Sequence, residues 1–332
     1  MPPVEAAAPC RADLAGGTLD IWPLGILHPG SLTVNAALPL RVRLRVEPGG
    51  APEGKVLHVV RGGEPRTLEP REAASDLTAA VAFFFRPAGG VAIRVHAQAP
   101  VGSGLGGSSA YAVALAGALL ALEGISPEPA RLVAVVRDLE ARVLRAPAGC
   151  QDHWAAVEGG VLALHLEPGG ERPERLRVDS AWLGERLTVF HTGIAHHSGM
   201  VNWEVIRRRL EGEPGTAESL EAVAAAAREC RRALLARDAE GVARSVAADW
   251  EARRRLAPEV SPPELERLVA VARSSGALAV KACGAGGGGS LLLWHEPGAR
   301  DRLTAALAGA APGGRVLASG VVETGLRVGP AR

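Results

Sequence analysis

The sequence predicts an α+β protein in two domains, and three observations carry that prediction. Strand patterns come first and helical patterns crowd the second half, in mixed order; a doubly wound sheet would alternate them strictly. The 332 residues are 47% hydrophobic. That is enough for two cores at roughly 100–200 residues per domain. Between the halves, Glu167–Arg175 is rich in proline, glycine and charge and reads as the boundary, giving domains 1–168 and 169–332.

Each element follows from its pattern. Leu40, Val42, Leu44 and Val46 alternate with Arg41, Arg43 and Arg45, which is a half-buried strand with one wet face. Val91–Ala97 is a second strand of looser alternation. A glycine-rich stretch, Pro100–Ser109, then leads into an apolar helix that runs to Leu122 and stops at Glu123. Pro127–Leu144 carries apolar residues on a 3–4 spacing and is helical. Gly159–Leu166 is a strand after a double-glycine turn, and Leu187–Thr192 is another. Helices are expected around Trp203–Leu210, Ala217–Arg237 and Ala239–Leu256. A further one spans Pro262–Ser275, with Ser261 as N-cap and Pro262 in the first turn. Leu278–Ala282 and Ser290–Trp294 are strands on either side of a glycine loop, Gly284–Gly289. No internal repeat of solenoid period is present.

Composition excludes several function classes. Lys and Arg number 37 against 36 Asp and Glu, a net charge of +1. A balanced chain offers no electrostatic footprint for nucleic acid. The apolar run near Ala110–Leu122 is too short to span a bilayer, and Met1–Ala8 lacks the basic and apolar regions of a signal peptide. Cys10, Cys150, Cys230 and Cys283 are scattered without a CxxC pair, which suits reduced thiols in a cytoplasm.

The stretch Gly102–Ser109 is the first chemical signal. Glycine amides can approach a phosphate closely because no Cβ intervenes, and the following helix N-terminus adds a positive dipole end. Ser108 and Ser109 bring hydroxyls that can cap the helix or bind Mg2+. The loop is not of Walker type, since Ser108 stands where the lysine of GxxxxGK[ST] is required. The letters GxGxxG do match Gly102, Gly104 and Gly107, but helix follows helix where a dinucleotide fold needs strand–helix–strand. An ordinary strand–helix connector remains the plain alternative.

Pro100–Ala110 resembles the second motif of the GHMP kinases, the superfamily of galactokinase and of homoserine, mevalonate and phosphomevalonate kinases. The usual pattern is P-x-x-x-G-L-G-S-S-A; Gly107 replaces its first serine and Ser109 its alanine. Ala8–Asp20 is similar to the N-terminal motif in its sugar-kinase form, P-x-R…GG-T-D. Lys281–Ser290 resembles the third motif, and Pro147–Gly160 the catalytic aspartate loop. The segments GGTLD, GxQD at Gly149–Asp152, TGI at Thr192–Ile194 and GAGGGG resemble the heptose-7-phosphate 1-kinase branch. The neighbourhood Ala195–Trp203 does not match that branch, which leaves the substrate open.

The resemblance implies a ribosomal S5-like N-terminal domain, a ferredoxin-like C-terminal domain, and ATP with Mg2+ as cofactors. It places the nucleotide on Pro100, Gly102, Ser103, Gly104, Leu105, Gly106, Gly107, Ser108 and Ser109. Asp152 matches the catalytic base; a helix N-cap is its structural alternative, and the two roles can coexist. Arg11 matches an arginine beside that aspartate, favouring the carboxylate and stabilising developing charge, against a plain surface arginine. Gly17, Thr18, Asp20, Gln151, Gly286 and Gly287 fall on substrate positions, with turn chemistry as the alternative for Asp20. Ser108 and Glu140 fall on the Mg2+ ligands; a one-residue shift would move the first role to Ser109, and a solvated helix charge is the alternative for Glu140. His191, His196 and His197 lack the spacing of a closed zinc site, and Cys150 reads as packing.

The expected function is phosphorylation of a hydroxyl, in the first place the anomeric one, of a sugar or sugar phosphate such as a heptose 7-phosphate. A kinase of mevalonate- or homoserine-like alcohols and a catalytically silent sugar and ATP sensor are the other readings. The partner is a small molecule, without nucleic acid or membrane, and a homodimer is left open.

Overall fold

A computed structural model describes residues 2–85, 89–194 and 198–331; His196 and His197 fall outside them, as do the side chains of residues 198–201. The chain opens with β1 (Val4–Ala15) and β2 (Leu32–Pro48). The short strands β3 (Val56–Val60) and β4 (Arg66–Leu68), helix α1 (Leu77–Phe85) and β5 (Val91–Ala97) follow. Next come α2 (Gly107–Leu122), α3 (Pro129–Leu144) and α4 (Gln151–Glu158), then β6 (Val161–Glu167) and β7 (Gly170–Leu176). The second half carries α5 (Ser180–Gly184), β8 (Leu187–His191), α6 (Ser198–Leu210), α7 (Thr216–Leu235) and α8 (Ala239–Arg253). It closes with α9 (Pro263–Ser274), β9 (Ala277–Ala282), β10 (Ser290–His295), α10 (Arg300–Ala310), β11 (Arg315–Ser319) and β12 (Arg327–Pro330).

Two sheets organise these elements. The first has the order β12-β1-β2-β5-β3-β4, with β6 pairing β2 and β7 pairing β6. β2 can serve two neighbours because it is long: β6 pairs its Leu32–Ala36 end and β5 its Val42–Pro48 end. The second sheet is β11-β8-β10-β9, all antiparallel.

The alternation read at Leu40–Val46 holds, and its apolar side faces α2. That helix is apolar on nearly every side because it is covered on nearly every side, by β1, β2, α1 and α3. Each fully buried Leu or Val in it contributes about 1.5–3 kcal/mol of hydrophobic stabilisation. α3 starts where Glu128 caps it, its carboxylate accepting from Ala130 N at 2.9 Å and Arg131 N at 2.8 Å.

Three expectations change. Residues 167–175, read as a boundary, form a hairpin: β7 pairs β6 from Val161↔Leu176 to Glu167↔Gly170 and belongs to the first sheet. The Pro-Gly-Gly signal there is a turn within a domain. The last strand, β12, also returns to the first sheet beside β1, so the sequence order of the halves is not their spatial order. Ser261 is not an N-cap: α9 begins at Pro263, and the Ser261 hydroxyl donates to the Glu266 carboxylate. None of the described helices is long and apolar enough to cross a membrane.

Candidate active site

The two glycine loops meet backbone to backbone. A Cβ on Gly104 would lie 2.6 Å from Cys283 O, one on Gly284 3.0 Å from Gly104 O, and one on Gly289 2.8 Å from Ser103 O. At Gly104 and Gly289 real Cβ atoms do not come that close, and at Gly284 they rarely do, so glycine at these positions is what lets the loops touch. Gly104 and Gly106 also hold φ of +73° and +70°.

Arg11 ties the phosphate-type loop to α4. Its backbone N donates to Leu105 O at 3.0 Å and Nη1 to Gly104 O at 2.7 Å. Nη2 lies 2.5 Å from Asp152 Oδ1, with the arginine side chain buried and Asp152 partly open to solvent. Burial works against the Arg11 charge, but Asp152 and then Asp13 outweigh it and hold the guanidinium above its ordinary pKa. Asp152 stands in the first turn of α4, where Cys150 occupies the cap position, so the N-cap alternative is set aside. Behind Gly106 there is room only for hydrogen: a Cβ there would sit 2.9 Å from Asp152 Cγ.

α2 begins at this point with Gly106 as its cap residue and no side-chain cap. The first-turn N–H groups of Gly107, Ser108 and Ser109 are therefore presented to an anion, with the helix dipole behind them. Ser108 is exposed, and its Oγ donates to Glu140 Oε1 at 2.6 Å; Ser109 Oγ donates to Oε2 at 2.8 Å. His153 Nε2 lies 3.0 Å from Glu140 Oε2. Burial raises the Glu140 pKa, but His153 and the two serines outweigh it and hold the carboxyl below its usual range. Glu140 is thus a buried anion facing the loop, not a solvated helix charge. One serine hydroxyl and one carboxylate match what Mg2+ takes from a protein when phosphates and waters supply the rest.

Asp20 is buried against the start of α4. It accepts from Cys150 N at 2.8 Å, Gln151 N at 3.1 Å and Gln151 Nε2 at 3.2 Å. Burial raises its pKa to about 6, partly offset by the backbone bonds at Gln151. Gln151 Oε1 is buried with no hydrogen-bond partner among the described residues, an acceptor left for a ligand hydroxyl. The Cys150 thiol is raised well above its ordinary value by burial, in keeping with packing.

One part of the site was missed in the sequence. Asp13, Asp249, Lys281 and Arg253 form a fully buried charge cluster under both the Gly16–Thr18 turn and Gly284. Lys281 Nζ is 2.5 Å from Asp249 Oδ2 and 3.3 Å from Asp13 Oδ2; Arg253 Nη1 is 3.1 Å from Asp13 Oδ2. Arg253 Nη2 donates to Thr18 Oγ1 at 3.3 Å and Gly284 O at 2.5 Å, joining the Gly16–Thr18 turn to the second glycine loop. Asp249 Oδ1 accepts from Gly16 N at 2.7 Å, and a Cβ on Gly17 would strike Asp13 Oδ2 at 2.1 Å. Asp13 is stabilised as a carboxylate: burial opposes it, and Lys281, Arg253 and Arg11 more than compensate. The available signal was Lys281, one of only two lysines in the chain, set inside an apolar strand.

The expected residues therefore converge, with exceptions. Arg11, the Gly104–Ser109 run, Glu140, Gln151, Asp152, Thr18 and Asp20 gather around the N-termini of α2 and α4. Pro100, Gly102 and Ser103 shape the turn ahead of them, Ser103 N donating to Pro100 O at 3.2 Å. Gly286 and Gly287 are held on the α9 side of their loop, Gly287 N donating to Val260 O at 2.7 Å. Among the described residues no cluster of three or more His, Cys, Asp or Glu could hold a metal ion.

GHMP kinases N terminal domain matches residues 72–160, and GHMP kinases C terminal matches residues 230–312. The chain belongs to the GHMP kinases. With them it belongs to the phosphotransferases that use an alcohol group as acceptor. It is 26% identical over 225 residues to a D-glycero-alpha-D-manno-heptose 7-phosphate kinase of Campylobacter jejuni, covering 65% of this chain and 64% of that protein. It is 27% identical over 306 residues to a mevalonate kinase of Methanothermobacter thermautotrophicus, covering 91% and 93%. The crystal structure of a D-glycero-D-manno-heptose 1-phosphate kinase from Bacteroides thetaiotaomicron superposes with TM-score 0.76 at 21% identity over 99% of both chains. That likeness confirms the two-domain α+β GHMP fold.

Proposed function

We propose that this GHMP kinase is an ATP- and Mg2+-dependent sugar kinase that phosphorylates the anomeric hydroxyl of a sugar or sugar phosphate such as a heptose 7-phosphate. The observation that carries the reading is Asp152, ion-paired to Arg11 at 2.5 Å and set directly behind Gly106 at the N-terminus of α2. In this arrangement Asp152 accepts the proton of the attacking hydroxyl, while Arg11 keeps the carboxylate in place and balances charge beside it. The Gly107–Ser109 amides hold phosphate oxygens, and Ser108 with Glu140 holds Mg2+. Bound Mg–ATP supplies the phosphoryl group and neutralises its charge. Asp20 and Gln151 Oε1 orient the substrate through its hydroxyls. The sugar class is supported by the Gly16-Gly17-Thr18…Asp20 turn and by the heptose kinase relatives.

A mevalonate-like alcohol is the second reading, favoured by the wider span of the mevalonate kinase match. A silent sensor fits less well, because Arg11, Ser108, Glu140 and Asp152 are assembled as turnover requires. ADP release measured over a panel of sugars, sugar phosphates and mevalonate decides among these, with the product located by phosphorus NMR. Asp152→Asn should abolish turnover and leave ATP binding intact. ATP binding without turnover on any panel member would overturn the kinase reading.

A further inference from the structure

The strand face turned away from α2 carries a concentration of arginine that phosphoryl transfer does not use. Cross-strand register places Arg327, Ala7, Arg43 and His96 in one row, since Ala7 is opposite both Arg327 and Arg43, and Arg43 is opposite His96. The next row holds Glu5, Arg45, Arg94 and Val59. Arg41 and Arg61 close the two ends, and the whole borders a groove of about 940 Å3. Directly opposed residues in a sheet sit about 5 Å apart, and successive ones on a face about 7 Å.

Six arginines face two carboxylates here, an excess of four positive charges (6 − 2). Glu5 lies 3.8 Å from Arg45, and Glu47 bridges Arg45 at 3.0 Å and Arg94 at 3.6 Å. Arg41, Arg43, Arg61 and Arg327 have no carboxylate partner among the described residues. Arg45 and Arg94 stand directly opposite, a like-charge pairing that destabilises a sheet. Burial, and then the charges of Arg327 and Arg43, hold Arg41 below its ordinary pKa. The free fold therefore bears repulsion that an anion would relieve.

We propose that this groove is a second ligand site, remote from Asp152, for a small molecule bearing a chain of two or three phosphates. Guanidinium forks bind phosphate oxygens bidentately, which favours arginine over lysine at such a site. The groove volume falls within the range of small-ligand pockets. No Phe, Tyr or Trp lines it, and its one ring is that of His96, so it lacks the run of aromatic stacking platforms that single-stranded nucleic acid uses. The proposal stands independently of which alcohol the kinase phosphorylates.

Inorganic tripolyphosphate is the probe, titrated calorimetrically without Mg2+ at physiological ionic strength, where the screening length is about 8 Å. The test variant is R43S/R61S/R327S, three exposed residues outside the catalytic machinery. R43E is a second variant, in case the triple one folds poorly. Saturable binding that weakens at least tenfold in both variants, with ATP binding unchanged, is the expected result. Equal affinity in wild type and variants would place the anion on the glycine loop and overturn the proposal. So would an absence of saturable binding. Tighter binding of an oligonucleotide or acidic peptide to the same face, or self-association abolished by R43E, would also reject the small-molecule reading.

Discussion

Gly106 and Gly107 are neighbours in sequence with opposite tolerances. Gly106 has φ +70°, and a Cβ there would lie 2.9 Å from both Cγ and Oδ2 of Asp152. Gly107 begins α2, and a Cβ there would meet nothing within 4 Å. In Gly106→Ala the left-handed conformation costs about 1–2 kcal/mol. The clash adds to that and is relieved only by moving the loop or displacing the Asp152 carboxylate from Arg11. A misplacement of about 1 Å at a reacting group can cost roughly 100-fold in rate. Gly106→Ala should therefore lose about two orders of magnitude in kcat with a modest fall in stability. Gly107→Ala should hold or gain about 0.5–1 kcal/mol, because alanine is the better helix former. Urea unfolding measures the stability difference, and steady-state kinetics on the best panel substrate measures the rate. Wild-type kcat in Gly106→Ala, or equal destabilisation by the two substitutions, would refute the geometric reasoning.

Three further outcomes follow from the same site. Glu140→Gln keeps the shape but removes the anion, so the Mg2+ concentration for half-maximal activity should rise at least tenfold; an unchanged Mg2+ titration would exclude Glu140 as a ligand. Lys281→Met leaves Asp249 buried without its cation and should cost about 3–5 kcal/mol in urea unfolding, since breaking a buried pair exposes an uncompensated charge; a loss under about 1 kcal/mol would contradict the buried network. Asp20 in the folded chain has a pKa of about 6, above the ordinary carboxylate value of about 3.9. The folded state binds the extra proton, so the Asp20 contribution is complete below about pH 4 and is lost as pH rises through 6. Two pKa units correspond to about 3 kcal/mol. The stability gap between wild type and Asp20→Asn should change across that window, and parallel curves would disprove the assignment.

Much of the molecule was legible in the chain. Alternation at Leu40–Val46 announced a one-sided strand because a pleat has period two. The apolar run after Ser109 and the 3–4 spacing before Leu144 announced two helices in succession, which counted against a dinucleotide fold. Glycines at 104 and 106 marked a loop without Cβ atoms; Arg11 and Asp152 were named in motifs that resemble those of the GHMP kinases, and Glu140 by the same resemblance outside those motifs. Proline and glycine at 167–175 misled, since a hairpin and a linker use the same residues. Gly286 and Gly287 shared a motif with Gly284, yet they are fixed against Val260.

The sequence by itself determined the α+β class, the succession of α2 and α3, and the residue types that phosphate and proton chemistry require at Gly104–Ser109, Glu140 and Asp152. Local periodicity and local backbone freedom are enough for the class, the two helices and the glycine loop; Glu140 and Asp152 were singled out by the resemblance to the GHMP kinases. Only the tertiary structure decided that Arg11 touches both the loop and Asp152, that Glu140 is a buried anion between two serines and a histidine, and that Asp13, Asp249, Arg253 and Lys281 share one charge cluster. It also decided that the arginines of three strands and the loop end at Arg61 share one face. These pairings join residues far apart in the chain, as with Asp13 and Lys281 or Ala7 and Arg327. They are fixed by strand register and helix packing, to which no local pattern gives access.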